Sequence, residues 1–154
     1  MSEQYSFRTI GTVHSSRHEM RDDGWDGESS QIELHEEFCE ATLRGLDAFS
    51  HVIVVYVLDQ VDGTWVDHRH PRGNPEWPDV GIFAQRAKDR PNPLGVSVAR
   101  LVAVQGRRLV LEGLDALDGT PVLDIKPWMV EFGPRGELTQ PAWSTDLMTN
   151  YWSS

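Results

Sequence analysis

Residues 49–58, FSHVIVVYVL, are an almost unbroken run of β-branched and aromatic side chains. Such a run fits a pleated strand covered on both faces, and it is predicted to lie at the centre of the core. The shorter runs around it read the same way. Residues 7–13, 31–34 and 121–125 are predicted strands, and residues 96–104 and 107–114, separated by Gln105 and Gly106, are predicted to form an antiparallel hairpin. Residues 36–44 give one or two helical turns ending at Gly45. Residues 62–80 hold Gly63, Pro71, Gly73, Pro75 and Pro78, which rule out a long helix. Short strands with Gly and Pro turns and hardly any helix predict an all-β fold, an antiparallel barrel or curled sheet, in a single domain.

The polar stretch 14–30, with Arg21, Asp22, Asp23, Gly24, Trp25, Asp26 and Gly27, is too long for a hairpin turn. A loop of that length inside a compact domain is functional or disordered, and an ordered Trp25 favours function. The tail from Gly133 is expected to be irregular, with Trp143, Tyr151 and Trp152 as its anchors.

Charge constrains the partners. The net charge is −10, with 13 acidic against 4 basic residues over 1–62 and 11 against 10 over 63–154. Tight binding of a polyanion needs a local excess of Lys and Arg. Arg69, Arg72, Arg86, Lys88, Arg90 and Arg100 are the best candidates, either as a nucleic-acid footprint or as groups that hold a smaller anion or pair internally. The apolar run at 52–58 falls far short of the ~20 residues that span a bilayer. Residues 1–10 carry no leader pattern, and Cys39 is the sole cysteine, so a cytoplasmic protein without membrane contact is expected.

Two segments carry the chemistry. In residues 81–97, GIFAQRAKDRPNPLGVS, Pro91 and Pro93 fix two φ angles around Asn92, and Gly95 is read as closing the turn before a strand. A stiff loop beside Arg86 and Arg90 offers preorganised donors to a carboxylate or phosphate. In residues 114–128, LDALDGTPVLDIKPW, a turn at Asp118, Gly119, Thr120 and Pro121 leads into a strand. Alternation there places Val122, Asp124 and Lys126 on one face.

GLDAFSH at 45–51 together with these two segments, in this order, closely resembles the TsaA-like family, to which the TrmO tRNA methyltransferases belong; the similarity runs from about Phe7 to Trp128. The resemblance implies an antiparallel barrel-like domain over 1–132, with 133–154 as a tail packed on it or on a partner subunit. It implies a homodimer with S-adenosyl-L-methionine bound near the dimer interface. It also implies methylation of N6 of threonylcarbamoyl-adenosine beside the tRNA anticodon; a small metabolite as acceptor, or a binding module without catalysis, are the alternatives.

The cofactor contacts that the resemblance implies are Arg21, Asp22, Asp23, Asp59, Gln60, Arg86, Leu94, Asp118, Gly119, Thr120 and Pro121. Carboxylates suit the sulfonium and ammonium of such a ligand, and Arg86 suits its carboxylate. Lys88, Arg90 and Asn92 are expected to meet the acceptor, and Asp124 or Asp59 to act as general base.

The sequence also departs from the family pattern. Gln85 and Ala87 flank Arg86 where the commonest motif has Thr and Ser, and Asp59 stands where many members have His. Longer bacterial members carry a second domain after this one, so tRNA docking by that route is not expected. His51 is read as a core residue, Trp77 and Trp128 as core or dimer contacts, and Cys39 as inert. Asp67, His68 and His70 sit in a Pro-rich loop and are not read as a metal site.

Overall fold

A computed structural model of the chain describes residues 2–153. Six strands close a barrel in the order β1 (Gly11–Ser15), β2 (Ser29–Leu34), β7 (Arg108–Glu112), β6 (Leu94–Gln105), β3 (His51–Val57) and β8 (Pro121–Pro127), every pairing being antiparallel. The all-β barrel expected from the sequence is therefore the observed architecture. Closure leaves no open sheet edge around the ring. Two further two-residue strands, β4 (His68–Arg69) and β5 (Val80–Gly81), make a small ribbon outside it.

Alternation fills the interior. Val13, Ile32, Val52, Val54, Leu109, Leu111 and Val122 are fully buried there, joined by Tyr56, Ala99 and Leu101. Burying each of these larger side chains stabilises the fold by about 1.5–3 kcal/mol.

Several elements differ from the sequence reading. β3 is covered on one face only: Val52, Val54 and Tyr56 point into the barrel, whereas Ile53, Val55 and Val57 are half-buried on the outer wall. Across from them on β6, Leu94, Val96 and Val98 are 42%, 47% and 43% exposed. His51 opens β3 on the outer side, with Nδ1 2.7 Å from Ser50 Oγ, and is not a core residue. A bulge in β8 alters the predicted alternation, because Tyr56 faces Val122 while Val55 faces Asp124, leaving Leu123 unopposed. Val122 consequently points inward, and Asp124 and Lys126 point outward with 2.8 Å between their charges. The first strand begins at Gly11 rather than Phe7. The tail is not wholly irregular: it contains a helix, α1 (Ala142–Leu147).

The strand directions position the site. β1, β3 and β7 run the same way, so the connections that leave them, residues 16–28, 58–93 and 113–120, all emerge at one end of the barrel. At the other end lie the short turn between β6 and β7 and the connection 35–50, which is built on 3-10 turns at Glu40–Leu43 and Leu46–Ala48.

Candidate functional site

Arg17 organises the first of the three loops. Its side chain is almost fully buried beside Glu28, with Nη2 to Oε1 at 2.9 Å and Nε to the same oxygen at 3.2 Å. Nη1 donates to the carbonyl of Asp23 at 3.2 Å, and the guanidinium lies 3.8 Å from the centroid of the Trp25 ring. Trp25 is 5% exposed and donates through Nε1 to the carbonyl of Asp22. A buried cation that is paired, hydrogen-bonded and stacked on an indole forms a rigid staple. Trp25 is thus buried and held in place, the condition under which the sequence favours a functional loop over a disordered one. Arg21, Asp22 and Asp23 stand at its exposed rim, with Arg21 Nη2 3.8 Å from Glu28.

The second loop leans on the first through Arg72. Its Nη2 lies 3.1 Å from Asp23 Oδ1 and its Nε 3.8 Å from Asp22 Oδ2. Among the described residues it is the one non-glycine residue with positive φ, 52°, so its backbone stores strain where its side chain meets the two carboxylates. Further along, Arg90 Nη1 donates to the carbonyls of Gln85 and Ala87 at 2.8 and 3.1 Å, closing the turn on itself. Lys88 and Arg69 both pair with Asp89, at 3.2 and 3.6 Å. Arg86 is left exposed, with Nη2 donating to the carbonyl of Val96 at 2.7 Å. That carbonyl belongs to residues 94–99 of β6, which pair with β3 and not with β7. Leu94 opens the strand, half-exposed, its N–H donating to the carbonyl of Asn92 at 2.7 Å. Asp59 and Gln60 follow β3 after Leu58 and are exposed at the same end.

In the third loop the backbone N–H of Ser15 donates to Asp118 Oδ1 at 2.9 Å, and His18 Nδ1 lies 3.3 Å from Oδ2. Gly119 takes φ 83°, which a side chain would resist, and its N–H donates to Val13. Thr120 is buried and Pro121 pairs with Thr12, so the turn is sewn to β1. Three residues before Asp118, Asp115 accepts from Tyr56 Oη at 2.9 Å on Oδ1 and from Tyr151 Oη on Oδ2. Burial first, and then the neighbouring Asp115 charge, push both phenols well above the ordinary tyrosine range; Arg86 lies close enough to oppose both shifts. Arg86 and the Asp118 turn therefore lie on loops that leave the same end of the barrel.

Beside Asp118, a shallow polar recess of about 400 Å³ is lined by His14, His18, Gln31 and Ser30. Ser30 is 2% exposed and its Oγ has no hydrogen-bond partner.

Asp124 is not part of this gathering. It faces a cavity of about 410 Å³ with Ile10, Leu34, Phe38, Leu46 and Phe49, toward the opposite end. His68 pairs with Asp79 at 2.8 Å, and no group of three metal-ligating side chains occurs among the described residues. Trp77 is half-buried and donates to Asp146 of α1, while the exposed Cys39 has no disulfide partner. Charge counting could not find Arg17, Asp115 or the Arg72 pairing, since each acts through a partner distant in the chain.

The six-stranded antiparallel barrel carries, on the loops of one end, the exposed carboxylates of Asp22 and Asp23, the Asp118 turn and the exposed guanidinium of Arg86. The family described as tRNA-methyltransferase O N-terminal domain matches residues 9–133, and the chain belongs to it. A probable S-adenosyl-L-methionine-binding protein of Pyrococcus abyssi is 37% identical over 137 residues, 84% of this chain and 71% of that protein. The Escherichia coli tRNA (adenine(37)-N6)-methyltransferase is 43% identical over 95 residues, 56% of this chain and 39% of that one. The crystal structure of TrmO from P. aeruginosa superposes with a TM-score of 0.73 at 30% identity, covering 93% of this chain and 63% of that chain. The chain thus spans less than two thirds of the methyltransferases it resembles.

Proposed function

We propose that the chain is an S-adenosyl-L-methionine-dependent methyltransferase whose acceptor is N6 of the threonylcarbamoyl-adenosine beside the tRNA anticodon. The observation that supports this reading is that the Asp22 and Asp23 rim, Arg86 and the Asp118 turn are carried by the three loops at one end of the barrel. Relatives named as tRNA (adenine(37)-N6)-methyltransferases and as probable binders of the cofactor support it.

The donor set fits the cofactor. Asp22, Asp23 and Asp118 offer carboxylates to a sulfonium and an ammonium, Arg86 offers donors to a carboxylate, and the orphaned Ser30 Oγ beside Asp118 is a hydroxyl without a partner. Arg21, Gln60, Leu94, Gly119, Thr120 and Pro121 complete the proposed contacts. When bound, S-adenosyl-L-methionine supplies an electrophilic methyl group on a sulfonium. The work left to the protein is orientation of the acceptor nitrogen and exclusion of water. Asp59, exposed two residues past the end of β3, is the proposed base for the N6 proton. Asp124 is the weaker base, since it faces away and is held by Lys126. Lys88, Arg90 and Asn92 border the acceptor side of the same loop.

A homodimer is part of the proposal. Leu94, Val96 and Val98 stand in register with Val57, Val55 and Ile53, an apolar outer wall that one chain leaves uncovered. Arg86 bonds to Val96 in that wall, so a partner seated there would close over the site. A cytoplasmic location follows from a tRNA substrate; no helix among the described residues is long and apolar enough to cross a membrane.

One observation favours a second acceptor class. Arg69, Lys88, Arg72 and Arg100 all pair with carboxylates of the chain itself, and Arg90 with loop carbonyls, which leaves few free cations for a polyanion. That pattern suits a small acceptor. Incubating the protein with labelled cofactor and bulk tRNA from a strain lacking the gene, followed by mass spectrometry of the nucleosides, separates the readings. Label in a modified adenosine supports the first. Cofactor binding without incorporation into tRNA removes tRNA as acceptor and leaves a metabolite or a non-catalytic module.

A further inference from the structure

The segment after residue 133, which lies beyond the family match, is bonded to the site on three sides. The N–H groups of Gly24, Trp25 and Asp26 donate in succession to the carbonyls of Asn150, Tyr151 and Trp152, at 3.1, 2.9 and 2.8 Å. Tyr151 Oη donates to Asp115 Oδ2, the oxygen that Tyr56 leaves free. Asp146 of α1 accepts from Trp77 Nε1 at 3.3 Å, tying the second loop to the same segment. Each of the three loops that form the site therefore has one bond or more to a stretch of seven residues.

The geometry points to residues 146–152 as a strap that positions the cofactor loops, with Tyr151 as its positioning residue. The inference rests on the reading that this end of the barrel is the cofactor site. Three consecutive backbone N–H groups next to Asp22 and Asp23 would otherwise face water, and a loop held only by Arg17 at its base and by the partly exposed Arg72 pair at its rim would fray there. Tyr151 adds a second function. Two neutral phenol donors hold both oxygens of Asp115, fixing the start of the turn that carries Asp118. The Tyr151 ring meets Trp152 edge-on, with centroids 5.0 Å apart, which sets the direction in which its hydroxyl points. A binding loop ordered by the protein before the ligand arrives does not have to be ordered by the ligand, so the strap raises affinity without touching the cofactor.

The test compares the full chain with Tyr151→Phe and with a chain ended after Thr149, by amide exchange without ligand and by calorimetric titration with S-adenosylhomocysteine. In the shortened chain the exchange of Gly24, Trp25 and Asp26 should rise at least tenfold while the Ile32 and Leu109 amides stay protected. Its Kd should rise about tenfold, the equivalent of one or two lost hydrogen bonds. Tyr151→Phe keeps the backbone bonds, so those three amides should stay slow while Kd rises about threefold, the lower end for one hydrogen bond. Equal Kd in all three proteins overturns the inference, as does fast exchange of the three amides in the full chain. Should the shortened chain not fold, an unchanged Kd in Tyr151→Phe overturns the part assigned to Tyr151. A full chain with slow amides that does not bind S-adenosylhomocysteine refutes the cofactor site itself, and with it any role of the strap in binding.

Discussion

Gly95 leaves no room for a side chain beneath Tyr56: a Cβ built there would stand 2.2 Å from Tyr56 Cε2 and 2.8 Å from its hydroxyl. The ring crosses β6 at that point because its hydroxyl reaches the carboxylate and the carbonyl of Asp115, at 2.9 and 3.0 Å. Gly95→Ala should therefore lower stability by about 1–3 kcal/mol through overpacking, a loss of several degrees in Tm by thermal unfolding. In a Tyr56→Ala background the same substitution should cost almost nothing. An equal cost in both backgrounds would mean that the ring is not the obstacle.

The same residue shows how much of the molecule could be read from the chain. RPNPLG announced a stiff turn, and the turn exists, but Gly95 lies in β6 with an ordinary φ and is needed for close packing, not for bending. Strand identity was legible because runs of β-branched and aromatic residues are local; that only Val52, Val54 and Tyr56 of β3 turn inward was not, since the run is apolar on both faces. The outward turn of Asp124 was not, because a bulge is set by the partner strand and shifts the faces without leaving a mark in composition. Residues 21–23, Arg86 and Asp118 were singled out through the family resemblance, and the structure carries them on loops at one end of the barrel. What holds them was not legible: Arg17 with Glu28, Arg72 with Asp23 and Tyr151 with Asp115 are 11, 49 and 36 residues apart.

Arg86 donates one nitrogen to Val96 and is otherwise exposed, so its removal should cost the fold little. Arg86→Ala should weaken binding of S-adenosylhomocysteine about tenfold, the range for one charge-assisted hydrogen bond. Calorimetric titration checks it, and unchanged affinity would take Arg86 out of the site.

Arg72 presents the opposite case, a cation held against the two carboxylates assigned to a cationic ligand. The pair is partly exposed and adds little to stability. Arg72→Asn tolerates the left-handed backbone and removes the charge. Affinity for the sulfonium cofactor should then rise about two- to fivefold at low salt, within the ~1 kcal/mol of one screened charge contact, and the gain should shrink at high salt. Weaker binding would instead show that Arg72 itself contacts the ligand.

Alkali should reveal the shared Asp115. Tyr56 and Tyr151 keep their protons in the folded state far beyond the ordinary tyrosine value, because burial and the Asp115 charge oppose ionisation. A phenol raised in the folded state contributes stability that is complete below the unfolded value of about 10 and is lost as pH climbs past it toward the folded value. Absorbance at tyrosinate wavelengths should therefore show one phenol, Tyr5, ionising in the folded protein and the other two only as it unfolds. Tyr151→Phe should lessen the fall in stability above about pH 10 by up to about 1.4 kcal/mol per pH unit, one proton's worth. Three tyrosines titrating in a still-folded chain would contradict the burial of both.

The uncovered wall of β3 and β6 supplies the last expectation. A sequence apolar on both faces of β3 asks for two covers, and the single chain provides one, on the side of Val52 and Val54. Val96 and Val98 point away from the core, so Val96→Asp and Val98→Asp leave the barrel interior untouched and should keep the fold. If a second copy covers this wall, sedimentation should show a dimer for the parent chain and a monomer for the double variant. Arg86 bonds to the carbonyl of Val96, so loss of the dimer should also weaken binding of S-adenosylhomocysteine. A parent chain that sediments as a monomer at micromolar concentration would refute the dimer, and a monomeric variant with full affinity would detach the cofactor site from the interface.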